Sequence, residues 1–367
     1  MKKRPMNSST FSKKKEGVTI KRPLKRSSDK NKNPFFVISI GASAGGLNAV
    51  SELASQLPAD INAAVFVVLH LSGSALSDIL VNRIQKRALL TCKVAEDKEP
   101  IKAGHIYIAS PDTHLLVKED HIVIGHGPRE NRFRPSVDVL FRSIAVSHGE
   151  TAIGIILTGL LNDGTVGMLA IKQSGGHCIV QDPNEAEYPD MPLAVLDSME
   201  VDAVVSLKNM GKAVLNLIDK TELKGVSPPP AIVAESKLSE KAATSIGEVS
   251  RLGEKTVFSC PDCGGGLWEI KNLPAGRHSS YAKHYRCHIG HAYSESDLMT
   301  KQFEALEHTL WVAVRMMEER KLLLQKMDRE YSDKGLARLS SNYKKYAEDM
   351  DEHIGRLKQL LFETNRD

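Results

Sequence analysis

Val37-Ile-Ser-Ile-Gly-Ala-Ser-Ala-Gly-Gly46 is the stretch that decides the fold. Residues 35–40 form an apolar, β-rich run that stops at Gly41, and residues 48–57 then read as a helix. The alternation continues, with apolar strands at 63–69, 106–109, 121–124, 151–157 and 177–180 and helical stretches such as 137–146 and 165–173 between them. Nearly continuous apolar strands separated by helices predict an α/β fold. Its sheet should be doubly wound and mostly parallel, of Rossmann-like three-layer type and covered on both faces. Residues 105–125, two short strands around a polar turn at 110–114, read as a hairpin. The unit is expected to span 34–225.

Ser43 falls at the carboxyl end of a parallel strand and beside a helix N-terminus, where open α/β sheets bind ligands. Its small neighbours admit a substrate, and backbone N–H groups up to Gly45 are available to an oxyanion. A phosphate loop is the competing reading, but Gly41, Gly45 and Gly46 do not spell G-x-G-x-x-G and a P-loop lysine is missing. A serine hydroxyl needs an adjacent base. His70 ends the next strand, Val65-Phe-Val-Val-Leu-His70, at the same edge. Asp163 follows a third strand in Ile155-Ile-Leu-Thr-Gly-Leu-Leu-Asn-Asp-Gly164. Asn-Asp-Gly is ordinary turn chemistry, yet a carboxylate there can hold an imidazole in its productive tautomer. Ser43, His70 and Asp163 are the expected nucleophile, base and orienting group of a serine carboxyl-ester hydrolase, with no cofactor for catalysis.

The ordered segments resemble the catalytic domain of the chemotaxis protein-glutamate methylesterases, the CheB family. They are Ile40-Gly-Ala-Ser-Ala-Gly-Gly46, Val68-Leu-His70, Ala103-Gly-His-Ile-Tyr-Ile-Ala-Ser-Pro-Asp-Thr-His-Leu115, Arg134-Pro-Ser-Val-Asp138, Leu157-Thr-Gly159 with Asn162-Asp-Gly164, and Met191-Pro192, within about residues 35–220. The resemblance implies that Ser43, His70 and Asp163 take the family's catalytic roles. The substrate would be glutamate γ-methyl esters on the helical domain of a methylated chemoreceptor, with deamidation of receptor glutamine as a second activity. Ala44 stands where the family usually has Thr, so only its backbone N–H would serve an oxyanion. Gly159-Leu-Leu161 replaces Gly-Met-Gly, so Leu160 is expected to alter the pocket wall. Arg134 and Asp138 are expected at the substrate rim or in a local salt bridge, and His105 in hairpin chemistry. The receiver domain usual in the family has no room before Phe35, so control by aspartyl phosphorylation within this chain is not expected. The competing functions are a non-catalytic adaptor in a chemosensory pathway and a general small-ester esterase.

Cys260-Pro-Asp-Cys263 and Cys287-His-Ile-Gly-His291 have the spacing of a structural zinc site, with Cys260, Cys263, Cys287 and His291 as ligands. A similar module appended to some receiver-less members agrees by resemblance. Residues 256–293 would fold around the ion, and removing it is expected to unfold them while leaving hydrolysis largely intact. Ser227-Pro-Pro-Pro230 opens an expected linker, 226–255. Beyond it, Phe303, Leu306, Leu310, Val314, Met317 and Leu324, then Leu339, Tyr343, Tyr346, Met350, Ile354, Leu357 and Leu361, recur at helical steps and are interrupted at 328–335. Residues 294–367 thus read as a helical hairpin, or as a coiled coil joining two copies in a homodimer.

Residues 1–33 carry twelve Lys/Arg against Glu16 and Asp29, more than the whole formal excess of +4. They read as a disordered basic tail, and the slightly acidic remainder excludes a body built to grip nucleic acid. No apolar run is long enough to span a membrane. Five cysteines, three of them clustered late, fit a reducing compartment, so a cytoplasmic address is expected.

Overall fold

The structure, a computed structural model, describes residues 34–70, 77–241, 244–270 and 283–364. The expected basic tail, 1–33, lies outside the described residues. In chain order the first unit runs β1 (Phe36–Ala42), α1 (Gly46–Ser55), β2 (Ala63–Leu69), α2 (Ser77–Gln85), β3 (Thr91–Val94), β4 (His105–Ile108), β5 (His114–Lys118), β6 (His121–Gly125) and α3 (Val137–His148). It continues with β7 (Ala152–Ile156), α4 (Thr165–Gln173), β8 (His177–Gln181), α5 (Asp190–Ser198), β9 (Ala203–Val205) and α6 (Met210–Lys220). Among the described residues one sheet has the order β3-β4-β2-β1-β7-β8-β9, and every pairing in it is parallel.

Alternation along buried strands sorts the side chains into two cores. Ile38 and Ile40 of β1, with Val65 and Val67 of β2, pack on Leu53 of α1, Ile84 of α2 and Val214 of α6. Val37, Phe66 and Val68 face the other way, onto Phe141 of α3, Met168 of α4 and Val195 of α5. The expected doubly wound α/β sheet is what forms. One expectation needs correction: His105–Ile108 belongs to the main sheet, and the antiparallel hairpin is β5 with β6 alone. After β1 the chain winds outward to β4, then returns to β7 on the far side of β1. The switch point therefore lies at the carboxyl ends of β1 and β7.

Residues 226–255 depart from the linker expectation. They hold α7 (Pro230–Ser239) and the short α8 (Ile246–Val249), and the next strand, β10 (Gly253–Ser259), begins within them. Pro230 opens α7, where its missing N–H costs nothing. Ile232 is buried in the core beneath α3, and Glu235, Ser236 and Leu238 are buried too. β10, β11 (Gly266–Ile270), β12 (His284–Cys287) and β13 (Ala292–Ser294) make a four-stranded antiparallel sheet around Leu267, Tyr285, Tyr293 and Leu298. Helix α9 (Glu295–Asp333) starts directly from β13, its first turn capped by the Ser294 hydroxyl. Helix α10 (Ala337–Thr364) folds back on it within the same chain, around Val314, Ile354 and Leu361. The interruption is shorter than expected, because α9 runs on to Asp333 before Gly335 turns the chain at φ 74°. Leu339 and Tyr346, expected in the packing stripe, face solvent. No helix among the described residues is long and apolar enough to cross a membrane.

Candidate active site

Strand β1 is buried throughout and ends one residue before Ser43. Gly45 adopts φ 73°, a left-handed conformation that glycine takes without strain. A Cβ on Gly46 would lie 2.6 Å from Leu69 and 2.7 Å from Ala42, so only glycine lets α1 start this close to the sheet. Ser43 N is spent on Thr158 O at 3.0 Å. The N–H groups of Ala44 and Gly45 have no hydrogen-bond partner among the described residues, so both are free to donate at this edge.

Register brings the next side chain alongside. Ala42 pairs with Leu69 across β1 and β2, so Ser43 and His70 are neighbours one step beyond the ladder, and His70 N continues it by donating to Ala42 O at 3.1 Å. The His70 ring lies flat on Phe133, with centroids 3.6 Å apart and planes 5° from parallel. Its Nε2 meets Asp163 Oδ2 at 3.0 Å, and its Nδ1 is buried without a hydrogen-bond partner. His70 and Asp163 are thus joined directly. Ser43 is placed beside them by the register, with no hydrogen bond from its hydroxyl to His70 among the described residues.

Asp163 is fully buried and surrounded by donors. Oδ2 accepts from His70 Nε2 and from Val137 N at 2.7 Å, and Oδ1 from Asn131 Nδ2 at 3.1 Å, Ser136 Oγ at 2.9 Å and Asp138 N at 3.2 Å. Two of these N–H groups open α3, so the carboxylate also caps that helix's positive end. Burial works to raise its pKa, but the His70 hydrogen bond and charge and the Val137 N–H carry it below the ordinary aspartate value. An ionised group that stays ionised in the interior is what an imidazolium partner needs.

The rim residues divide. Leu160, expected at the pocket wall, is 45% exposed. Arg134 contacts Gly127 O at 3.1 Å and Asp112 at 3.6 Å, neither of them a catalytic candidate, so the local pairing is what it makes. His105 was expected in hairpin chemistry, but it opens β4 of the main sheet, where its ring makes a local contact with Ala103 O at 2.9 Å. Asp138 is not at the rim: at 2% exposure it lies behind Asp163 and accepts from Gly167 N at 2.6 Å. Its place in the first turn of α3 turns it inward against α4 rather than out to substrate. Burial, then the Asp163 charge, push the Asp138 carboxyl well above its usual range. The folded chain therefore keeps a proton that the unfolded chain releases, and stability falls as pH rises above about 4. Asp138→Asn is expected to remove that fall. In paired thermal melts the variant should gain on the wild type from about pH 4 to neutrality, and a pH-independent difference would refute a protonated Asp138.

Sequence reasoning missed Asn131, Phe133 and Ser136 as partners of the pair. Ser136 lies inside Arg134-Pro-Ser-Val-Asp138, a segment that was singled out, whereas Glu130-Asn-Arg-Phe133 carries no signal beyond a polar turn.

At the other sheet, ligand atoms of Cys260, Cys263, Cys287 and His291 all lie within 4.8 Å of one another. The Cys263–Cys287 sulfurs are 3.7 Å apart, and His291 Nδ1 is 3.6 Å from Cys287 Sγ and 3.7 Å from Cys260 Sγ. Ligands about 2.3 Å from a tetrahedral zinc ion would be separated by about 3.8 Å. The donor set and its spacing fit such an ion, with each corner filled by protein.

Fold and site together define a doubly wound α/β protein with a buried imidazole–carboxylate pair beside a serine at its switch point. The CheB methylesterase model matches residues 38–214. A curated relative from Leptospira interrogans is 37% identical over 184 residues, covering 50% of this chain and 95% of that protein. The chain belongs to the CheB methylesterase family. The protein-glutamate methylesterase/protein-glutamine glutaminase of Salmonella typhimurium is 37% identical over 183 residues, and that of Hydrogenovibrio crunogenus 36% over 202. The chain spans about half the length of these two, 52% and 53%. The crystal structure of the Thermotoga maritima CheB methylesterase catalytic domain is also similar, with a TM-score of 0.48 at 29% identity, covering 51% of this chain and 98% of that one.

Proposed function

We propose that this chain is a protein-glutamate methylesterase in which Ser43 attacks the ester carbonyl. His70 Nδ1 takes the hydroxyl proton and returns it to the leaving methoxide as methanol departs. Water, activated by the same nitrogen, then frees the glutamate from Ser43. The Ala44 and Gly45 N–H groups receive the oxyanion, and Asp163 holds the imidazole and steadies its charge. The observation that carries this reading is the 3.0 Å His70–Asp163 contact, which leaves Nδ1 buried and unpartnered beside Ser43 in the strand register. The names of the relatives, protein-glutamate methylesterase/protein-glutamine glutaminase, support the γ-methyl ester of a protein glutamate as substrate, and in this proposal that glutamate lies on the helical domain of a methyl-accepting chemoreceptor. Receptor glutamine, which differs at the leaving group, is a second substrate.

Methanol release from a methylated chemoreceptor cytoplasmic domain tests the assignment. Release by the wild type that the Ser43→Ala protein lacks is the expected result. Hydrolysis of p-nitrophenyl acetate with no release from the receptor would replace it with a general esterase.

The Cys260, Cys263, Cys287 and His291 cluster is proposed to bind a structural zinc ion, which when bound would tie β10–β11 to β12–β13. Metal analysis of the purified chain is expected to find zinc equimolar with protein and lost in Cys260→Ser; a metal-free chain with intact fold would overturn this.

A further inference from the structure

Between β6 and α3 a tight turn, Glu130-Asn-Arg-Phe133, touches both members of the His70–Asp163 pair. Asn131 Nδ2 donates to Asp163 Oδ1 at 3.1 Å, and Phe133 supplies the face on which the His70 ring lies. The turn is gripped from its other side by the β10–β13 sheet and helix α9. Asn131 N donates to Ala292 O at 2.9 Å, Arg286 of β12 pairs with Glu130 at 2.8 Å, and Arg132 pairs with Glu304 of α9 at 2.6 Å. A further tie runs from Asn162, next to Asp163 in the chain, whose amide donates to Ser294 Oγ at 3.0 Å and Ser296 Oγ at 2.9 Å.

The backbone of the turn gives an independent observation. Asn131 and Arg132 have φ of 49° and 73°, and Phe133 N closes the turn on Glu130 O at 2.9 Å. Asparagine tolerates this conformation, but arginine adopts it only where the surroundings fix it. The contacts at residues 286, 292 and 304 supply that fixing. Two of them, Arg286 and Ala292, directly flank the Cys287–His291 loop that closes the metal-ligand cluster.

We infer that the Cys/His module is a working part of the esterase site. Folding of the 287–291 loop sets the 130–133 turn, and the turn sets His70 against Asp163. Asn131 and Phe133 are positioning residues, and neither touches the substrate in this scheme. The consequence for activity rests on the methylesterase reading above. It reverses the sequence expectation that removing the metal would spare hydrolysis.

The test uses the full chain and a readout independent of substrate. The His70 imidazole proton held by Asp163 is expected as a low-field proton resonance, identified by its loss in His70→Gln. Trp268, buried in β11, reports the fold of the module by its fluorescence, with Trp311 on α9 removed by substitution to Phe. EDTA treatment or Cys287→Ser should change the fluorescence and abolish the resonance together. Because those treatments reach the whole module, Asn131→Ala and Phe133→Ala provide the local version. Each should weaken the resonance and lower kcat for methanol release about a hundredfold with KM unchanged, as expected for a misplaced catalytic pair. Phe133→Tyr, which keeps the ring face, should restore both. A resonance and kcat that persist while the module unfolds, or that ignore Asn131→Ala and Phe133→Ala, would overturn the inference. Absence of Ser43-dependent methanol release in the untreated chain sinks the methylesterase reading instead, and the resonance still decides the coupling.

Discussion

Ser43→Ala and His70→Ala are each expected to lower kcat for ester hydrolysis about a million-fold, and the double variant no further, whereas Asp163→Asn alone should cost about ten-thousand-fold. In the proposed mechanism the three groups act as one device: without the hydroxyl there is nothing for the base to activate, and without the base the hydroxyl is a poor nucleophile. Asp163 enters differently. All its partners are donors, namely the His70 Nε2, the Asn131 amide, the Ser136 hydroxyl and the N–H groups of Val137 and Asp138. An asparagine amide in that cage points a hydrogen at one of them. If it faces His70, Nε2 must become the acceptor and Nδ1 the protonated nitrogen, which is the wrong tautomer to take a proton from Ser43. Single-turnover methanol release on the variants measures these losses. Additive costs for Ser43→Ala and His70→Ala would mean that the two do not cooperate, and the triad assignment would fall.

Much of this site was legible because strand ends in a parallel sheet are conspicuous in sequence. Apolar runs stopping at Gly41, His70 and the Asn162-Asp-Gly164 turn mark three neighbouring carboxyl ends, and the register Ala42↔Leu69 turns that reading into proximity. What was not legible is tertiary. Asp138 reads as a surface acid in a helix's first turn, and only the docking of α3 on α4 buries it. Ser227-Pro-Pro-Pro230 reads as a linker because proline breaks helices, yet Pro230 stands where a helix accepts it, and the polar look of α7 hides Glu235 among buried charges. Thr91-Cys-Lys-Val94 is a short, half-exposed edge strand whose pattern is too brief to register. Asn131 and Phe133 belong to a turn whose importance lies wholly in what it touches.

Arg286→Ala is expected to cost about 3–5 kcal/mol of stability, because it strips a counter-charge from an interior ion network. Arg286 is 1% exposed and pairs with Glu130 at 2.8 Å and Glu235 at 3.0 Å, while Arg142 pairs with the same two carboxylates at 2.6 Å and 3.3 Å. Two guanidiniums face two carboxylates, with the buried His284 of β12 also against Glu235 at 2.7 Å, and the four charged groups come from different places in the chain: Glu130 before α3, Arg142 in α3, Glu235 in α7 and Arg286 in β12. Burial alone would raise the Glu130 pKa, but Arg142 and Arg286 hold it down to about 2. In the wild type this depressed carboxyl contributes stability that is fully present above its unfolded value and is lost progressively as pH falls from there through about 2. With Arg286 gone, one guanidinium faces two buried carboxylates, burial regains its influence, and a proton taken up by either acid relieves the imbalance. The deficit in urea unfolding should therefore be greatest near neutrality and shrink as pH falls below the ordinary carboxylate range. Arg286→Met combined with Glu130→Gln leaves Arg142 and Glu235 as a balanced pair and should recover most of the loss, since removing both partners spares the cost of an uncompensated charge. A deficit that is unchanged by pH and not repaired in the double variant would show that Arg286 acts through packing alone, and that charge does not hold the Cys/His sheet to the catalytic domain.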